Sequence, residues 1–343
     1  MDKKKQMAFN LNNFLLAIST AFDFREKELY NISLGHSKRV AYMALKLGFK
    51  YNLEPKQMAD LCAYALAYNI EEENLKKIPF LNSEETLANP LFKKIISFAS
   101  TLDRRFSLGI NDIKKREKAI SFMKENNEAD FLQISSTLDF WFDLQNENEI
   151  LMFIYSSLHD FTTILNFEEI LEITKIFHFI SNQNSQYLDF CEKLLDEYNF
   201  EYKDKFTFLI TASLQNIGKF NIPLKILDKK DKLTSNEFEL IKAYPYYTKK
   251  ILNNIMGFSD IAIFASKVQE RIDSRGYPFS LSGKDLSLKD RLLICLTIYN
   301  ALRENRAYRV SYSHDDAISI MNMEASNGKL DAPIVWDINR VLF

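Results

Sequence analysis

Residues 212–227 read ASLQNIGKFNIPLKIL. The segment closes a helix expected over 204–216, whose apolar run ends in the polar pair Gln215–Asn216 ahead of Ile217, Gly218 and Lys219. Just upstream, QNSQYLDFCEKLLDEYNFEY (183–202) has the spacing of an amphipathic helix followed by a short polar turn. The first half of the chain echoes this arrangement: HSKRVAYMALKLGFKYNLEP (36–55) precedes LCAYALAYNI (61–70), which again ends near a polar pair, Tyr68–Asn69.

Working outward, apolar residues recur at helical spacing almost throughout. Leu11, Phe14, Leu15, Ile18, Ala21 and Phe22 make one face, and Val40, Met43, Ala44 and Leu47 make another. Further helices are expected at 57–69, 91–104, 128–144, 167–180, 184–197, 235–255, 259–272, 286–303 and 313–326, and no strand-period segment competes. Eight glycines and seven prolines in 343 residues leave too few turn formers for an all-β fold. With 47% apolar and 26% charged residues the chain is folded, and its length suits two helical domains.

Charge is nearly balanced, 44 basic against 46 acidic residues, so no global positive field exists to capture a nucleic acid polymer or an anionic membrane. Cys62, Cys191 and Cys295 lie far apart in apolar runs, as buried reduced thiols would in a cytoplasmic protein. The start, MDKKKQMAFNLNNFLLAIST, reads as an amphipathic helix, because Asn10, Asn12 and Asn13 interrupt its apolar part. No apolar run approaches the roughly 18 residues a membrane span needs, so no membrane insertion is expected.

Punctuation concentrates around Ile78 to Pro90 and in SRGYPFSLSGKDLSL (274–288), the longest ordered-looking loop and hence a candidate functional one. The polar QNENE run sets a boundary near 145–165, and the absence of a Gly-, Ser- or Pro-rich linker predicts lobes packed through helices.

Taken in order, ASLQNIGKFNIPLKIL, KAYPYYTKKIL (242–252), ERIDSRGYPFSLSG (270–283), DRLLICLTIYNAL (290–302), RAYR (306–309) and SHDDAI (313–318) resemble the HD-GYP subgroup of the HD-domain phosphohydrolase superfamily over about residues 167–325. The resemblance implies an all-α fold of two HD-like lobes, a degenerate HD lobe over 1–158 and a degenerate HD-GYP-like domain over 159–343. It also implies a cage of histidines and aspartates that holds two or three metal ions and hydrolyses a cyclic dinucleotide, typically cyclic di-GMP.

At the positions the resemblance assigns to those ligands, this sequence has other residues. Gln215 and Asn216 replace the His-Asp pair, and Tyr244 replaces the histidine before Pro245. Val268 and Gln269 stand where paired histidines precede Glu270–Arg271, Thr297 stands at the later aspartate, and Gln183 at the helix-opening histidine. Amides are neutral donors and Val268 has none, so neither a metal nor another cofactor is expected. In the first lobe His36 matches the helix-opening histidine, but Tyr68–Asn69 and Ser100 occupy its companions' positions, and His36 reads as a packing or hydrogen-bonding residue. Two literal pairs look like decoys: His159–Asp160 lies upstream of the motif, and His314–Asp315 follows a capping Ser313. His178, among Phe177, Phe179 and Ile180, reads as a core or lobe-interface histidine.

The loop signature persists as Gly276, Tyr277 and Pro278, between Asp273, Arg275 and Gly283. Lys219, Arg291, Arg306, Tyr308 and Arg309 match further family positions, so Lys219, Arg275, Gly276, Tyr277, Pro278, Arg291, Arg306 and Arg309 are candidates to hold phosphate or a partner. The competing account gives these arginines to helix C-terminal carbonyls or to Asp and Glu partners. The leading expectation is therefore a catalytically inactive cytoplasmic scaffold that binds an unidentified protein partner and self-associates. The first alternative is an effector that binds cyclic di-GMP or another nucleotide, and the second is a phosphodiesterase with residual metal-dependent activity.

Overall fold

The computed structural model describes residues 6–70, 89–158, 162–182, 186–305 and 309–343. It forms two compact helical units, Phe9–Thr163 and Ile164–Phe343, the second joined by residues 6–8. The described elements are helical apart from two four-residue strands, β1 (Gln6–Phe9) and β2 (Thr163–Asn166), which pair in a two-stranded sheet. Segments this short carry too little alternation to stand out in a sequence.

The N-terminal unit comprises α1 (Leu11–Tyr30), α2 (His36–Lys50), α3 (Pro55–Ala67), α4 (Pro90–Phe106), α5 (Ile113–Glu125), α6 (Ala129–Ile134), α7 (Leu138–Asp143) and α8 (Glu147–Ser157). Asn10 caps α1 through its side chain, Asn31 ends it in the left-handed region, and a Glu54–Gln57 capping box with Pro55 opens α3. The centre is α2, which packs against α1, α3, α4 and α8 and buries Val40, Met43, Ala44 and Leu47.

In the C-terminal unit α9 (Phe167–Asn182), α10 (Gln186–Glu197) and α11 (Tyr202–Leu214) lead to a 3-10 turn (Ile217–Asn221) and then to α12 (Leu224–Leu227), α13 (Ser235–Lys242), α14 (Tyr244–Leu252), α15 (Ser259–Ser266), α16 (Leu288–Arg303), α17 (His314–Ser326) and α18 (Ala332–Val341). Helix α11 packs on α9 and α15, α14 closes over the 3-10 turn, and α16 packs on α10 and α17.

Several expected helices are divided. The 235–255 span breaks at Ala243, where Pro245 cannot donate to a continuing helix, so Tyr244 opens α14. The 128–144 span is two short helices, and the helix expected to reach 272 stops at Ser266. Helices α5, α8, α12 and α18 had no sequence expectation. In α5 only Ala119 and Met123 are buried, too sparse a stripe to register as periodic. Among the described residues no helix is long and apolar enough to cross a membrane, and the three cysteines are free and buried.

Candidate functional site

The QN turn is fastened from below. Thr248 Oγ1 donates to the Gln215 carbonyl at 3.0 Å and accepts the Gly218 N–H at 3.0 Å, so α14 grips the chain leaving α11. Gly218 is required here, because a Cβ would collide with the Tyr244 carbonyl and the Thr248 amide.

Gln215 is 1% exposed, and its Oε1 accepts from Thr297 Oγ1 at 3.1 Å. Since Thr297 has one proton to give, the Tyr187 hydroxyl, 3.0 Å away, must be the donor to Thr297. Burial holds that phenol well above its ordinary pKa, keeping it a donor. On the other side Gln269 Nε2 donates to the Tyr244 hydroxyl at 2.9 Å, and Lys219 Nζ stands 5.1 Å from the Tyr244 ring centre. Val268 is buried.

These residues form the floor of a cavity of about 790 Å³, within the range of small-molecule sites. Gln215, Asn216, Lys219, Tyr244, Gln269, Tyr277 and Thr297 all line it, so the structure brings together seven of the fifteen positions marked in the sequence. Lys229, Lys232, Asp231 and Glu304 line it too and were not marked; they lie in polar stretches with no motif to distinguish them. Lys229 is held by both oxygens of Glu237, at 2.8 and 2.6 Å.

The Gly276–Pro278 loop is organised by Glu270, a fully buried carboxylate that accepts the amides of Phe279 at 2.7 Å and Leu281 at 2.9 Å. Gly276 lies against the Glu270–Arg271 backbone, where a Cβ has no room, and the Tyr277–Pro278 bond is cis. Burial pushes the Tyr277 hydroxyl up to about 12. Of this loop only Tyr277 reaches the cavity, and the Arg275 side chain, 83% exposed, points to solvent beside Asp273.

Two of the arginines have structural partners instead. Arg291 pairs with Asp331 at 2.5 Å. Arg309 donates to the carbonyls of Ala301, Leu302 and Val310 and stacks over Tyr312, capping the end of α16. Neither lines the cavity. Gln183, Arg306, Tyr308 and the His159–Asp160 pair lie outside the described residues. His314 bridges Tyr299 and Asn339, at 2.8 and 3.0 Å, behind Ser313, which caps α17. His178, fully buried, stacks on Tyr187 with ring centres 5.8 Å apart.

A cluster of divalent ions needs anionic or imidazole donors to offset its charge. The matched positions offer amide, hydroxyl and phenol groups, of which Gln215 Oε1, Thr297 Oγ1 and the Tyr244 hydroxyl already bond one another or Gln269, and the cavity's carboxylates, Asp231 and Glu304, belong to no cluster of three or more His, Cys, Asp or Glu side chains among the described residues. This donor set does not fit the cluster that the resemblance implies.

The equivalent place in the N-terminal unit is a buried charge network. His36 Nδ1–H donates to Asp103 Oδ2 at 2.6 Å, leaving Nε2 facing Ser100 Oγ at 3.2 Å. Arg39 clamps both oxygens of Asp103, at 2.7 and 2.9 Å, and donates to the carbonyls of Ser33 and Leu34. Burial raises the Asp103 pKa, but Arg39 and His36 outweigh it and hold the carboxyl at about 2. The carboxylate thus stands one helical turn beyond Ser100. His36, Ser100 and Asp103 are each at most 2% exposed, which closes the trio to any substrate. Asn69 bridges Glu26 and Arg104.

This arrangement, helical with a buried turn at the end of a central helix, is that of HD domains, and residues 167–334 match the HD domain family. That segment, just under half of the chain, is thereby an HD domain of the HD-domain phosphohydrolase superfamily. The 3′3′-cGAMP-specific phosphodiesterase 1 of Vibrio cholerae is 27% identical over 203 residues, covering 57% of this chain and 47% of that protein. The 3′3′-cGAMP-specific phosphodiesterase 3 of the same organism is 36% identical over 110 residues, 32% of this chain and 24% of that one. A V. cholerae cyclic di-GMP phosphodiesterase is 33% identical over 132 residues, 36% of this chain and 27% of that one. The chain thus spans less than half the length of these relatives. The crystal structure of a cyclic GMP-AMP specific phosphodiesterase of V. cholerae shares the fold, with a TM-score of 0.56 and 16% identity over 98% of both chains.

These relatives correct the functional expectation. They are named as phosphodiesterases, which overturns the reading of the chain as a catalytically inactive, non-enzymatic scaffold. That reading inferred the loss of a whole function from the loss of ligand residues. Those residues bear on the metal cluster, and a large cavity lies beside them.

Proposed function

We propose that the C-terminal unit takes a cyclic dinucleotide in the cavity floored by Gln215, Tyr244 and Thr297, and that the chain acts in cyclic-dinucleotide signalling in the cytoplasm. The observation that carries this reading is the cavity: about 790 Å³ in volume, it combines Lys219 and Lys232 with an apolar and aromatic wall. Lysine supplies point charges for phosphodiester oxygens, and the apolar wall suits bases. The buried free thiols Cys62, Cys191 and Cys295 suit a reducing compartment. Titration calorimetry with 3′3′-cGAMP and cyclic di-GMP tests the assignment. Saturable heat is expected with either ligand, and no heat at high micromolar concentrations of both would overturn it.

A second reading, cleavage of the bound phosphodiester, is favoured by the names of the relatives. The same mixtures, incubated with manganese or iron and separated by chromatography, should then accumulate linear dinucleotide. Intact cyclic ligand after long incubation at high enzyme concentration would exclude this reading and leave binding standing.

A further inference from the structure

We infer that Phe238 and Tyr277 form a purine-stacking corner of this cavity, with Phe238 setting affinity for the base; the inference rests on the cyclic-dinucleotide reading and deepens it. Helix α13 carries no fully buried residue, so core packing does not account for an aromatic side chain at 238. Phe238 lines the cavity and leaves 44% of its surface exposed. An apolar ring of this size, left open at the wall of a cavity, gains stability by being covered.

The corner is built before any ligand arrives. Tyr277 meets Phe238 edge-on, with ring centres 6.3 Å apart and planes at 84°. Tyr277 is held in turn by its N–H, which donates to the Gln269 carbonyl at 3.1 Å, and by the loop that Glu270 ties down. Lys242 Nζ stands 5.1 Å from the Phe238 ring centre and is anchored to Glu239 at 2.6 Å, restraining the ring from that side. Leu233 and Ile241 extend the apolar wall, and Lys219 and Lys232 line the same cavity. A ligand that carries both a flat π-face and phosphate oxygens matches this division. Purines, with the larger face, stack better than pyrimidines.

The test uses the full chain and titration calorimetry with cyclic di-GMP, cyclic di-UMP and inorganic phosphate. Wild type should bind cyclic di-GMP more tightly than cyclic di-UMP. Phe238→Leu, which keeps apolar bulk, should weaken cyclic di-GMP roughly tenfold to a hundredfold, while leaving the thermal midpoint and the weak phosphate response unchanged. Phe238→Trp should restore purine binding. If wild type binds cyclic di-GMP and Phe238→Leu binds it equally well, the stacking corner is overturned and the cavity assignment survives. If wild type binds no cyclic dinucleotide, both fall.

Discussion

Thr297 Oγ1 donates to Gln215 Oε1 across 3.1 Å while accepting the Tyr187 hydroxyl at 3.0 Å. This neutral relay ties α10, α11 and α16 together, and two of its members, Gln215 and Thr297, stand at positions where the family resemblance puts metal ligands. Each group in it is buried or half-buried, so each depends on its neighbours for hydrogen bonds that water would otherwise supply.

Replacing Thr297 by valine keeps the shape and removes the hydroxyl. Gln215 Oε1 loses its donor and the Tyr187 hydroxyl its acceptor, and stability should fall by about 1–3 kcal/mol. Urea denaturation measures this, and a change within a few tenths of a kcal/mol would show that the relay contributes little.

In the N-terminal unit Asp103 is held at about 2, below its ordinary value of 3.8. A carboxyl with a depressed folded-state pKa adds stability that is present above its unfolded value and is lost as pH falls through the folded one. The thermal midpoint should therefore drop steeply below about pH 4. Asp103→Asn should flatten that acid limb and, by stranding buried Arg39, cost about 3–5 kcal/mol at neutral pH. An unchanged acid limb in the variant would contradict the assignment.

Glu26 behaves oppositely. Burial, with Asp23 close by, raises its pKa despite His36 and Arg104. A raised carboxyl opposes folding once ionised, so its penalty grows as pH climbs through the folded value. Glu26→Gln, which can still accept from Asn69, should raise the thermal midpoint at pH 7 and lose that advantage in acid. A midpoint at pH 7 equal to or below wild type would refute this.

Within the cavity, cations differ by position. Lys219 lines it over Tyr244, whereas the Arg275 side chain is 83% exposed and points away. Lys219→Met should weaken cyclic dinucleotide binding about tenfold to a hundredfold, the usual contribution of a charged hydrogen bond. Arg275→Ala should bind as wild type does. The reverse ranking in parallel titrations would put the phosphate elsewhere.

The fold was legible because helical spacing is strong and turn formers are few, and the ordered C-terminal blocks identified the superfamily. Helix α5 was missed because two small buried contacts make no stripe, and the break at Ala243 was missed because Tyr244–Pro245 was read within one long run. The floor of the site could be read from motif positions, since Gln215, Tyr244, Gln269, Tyr277 and Thr297 converge on one cavity, whereas its wall from Lys229 to Ile241 carries no motif. Arg291 and Arg309 could not be resolved that way. An arginine that grips Asp331 or caps a helix has the same spelling as one that grips phosphate. Asp103 was hidden for a similar reason: the motif pointed to Ser100, and only the helix brings the carboxylate one turn on beneath His36.

The cavity assignment is tested most directly by filling the space. Ala301 lines it, and Ala301→Trp places a large ring where the ligand would sit. Titration of cyclic di-GMP should give saturable heat with the wild-type chain and none with Ala301→Trp at an unchanged thermal midpoint. Equal binding by both proteins would contradict the account.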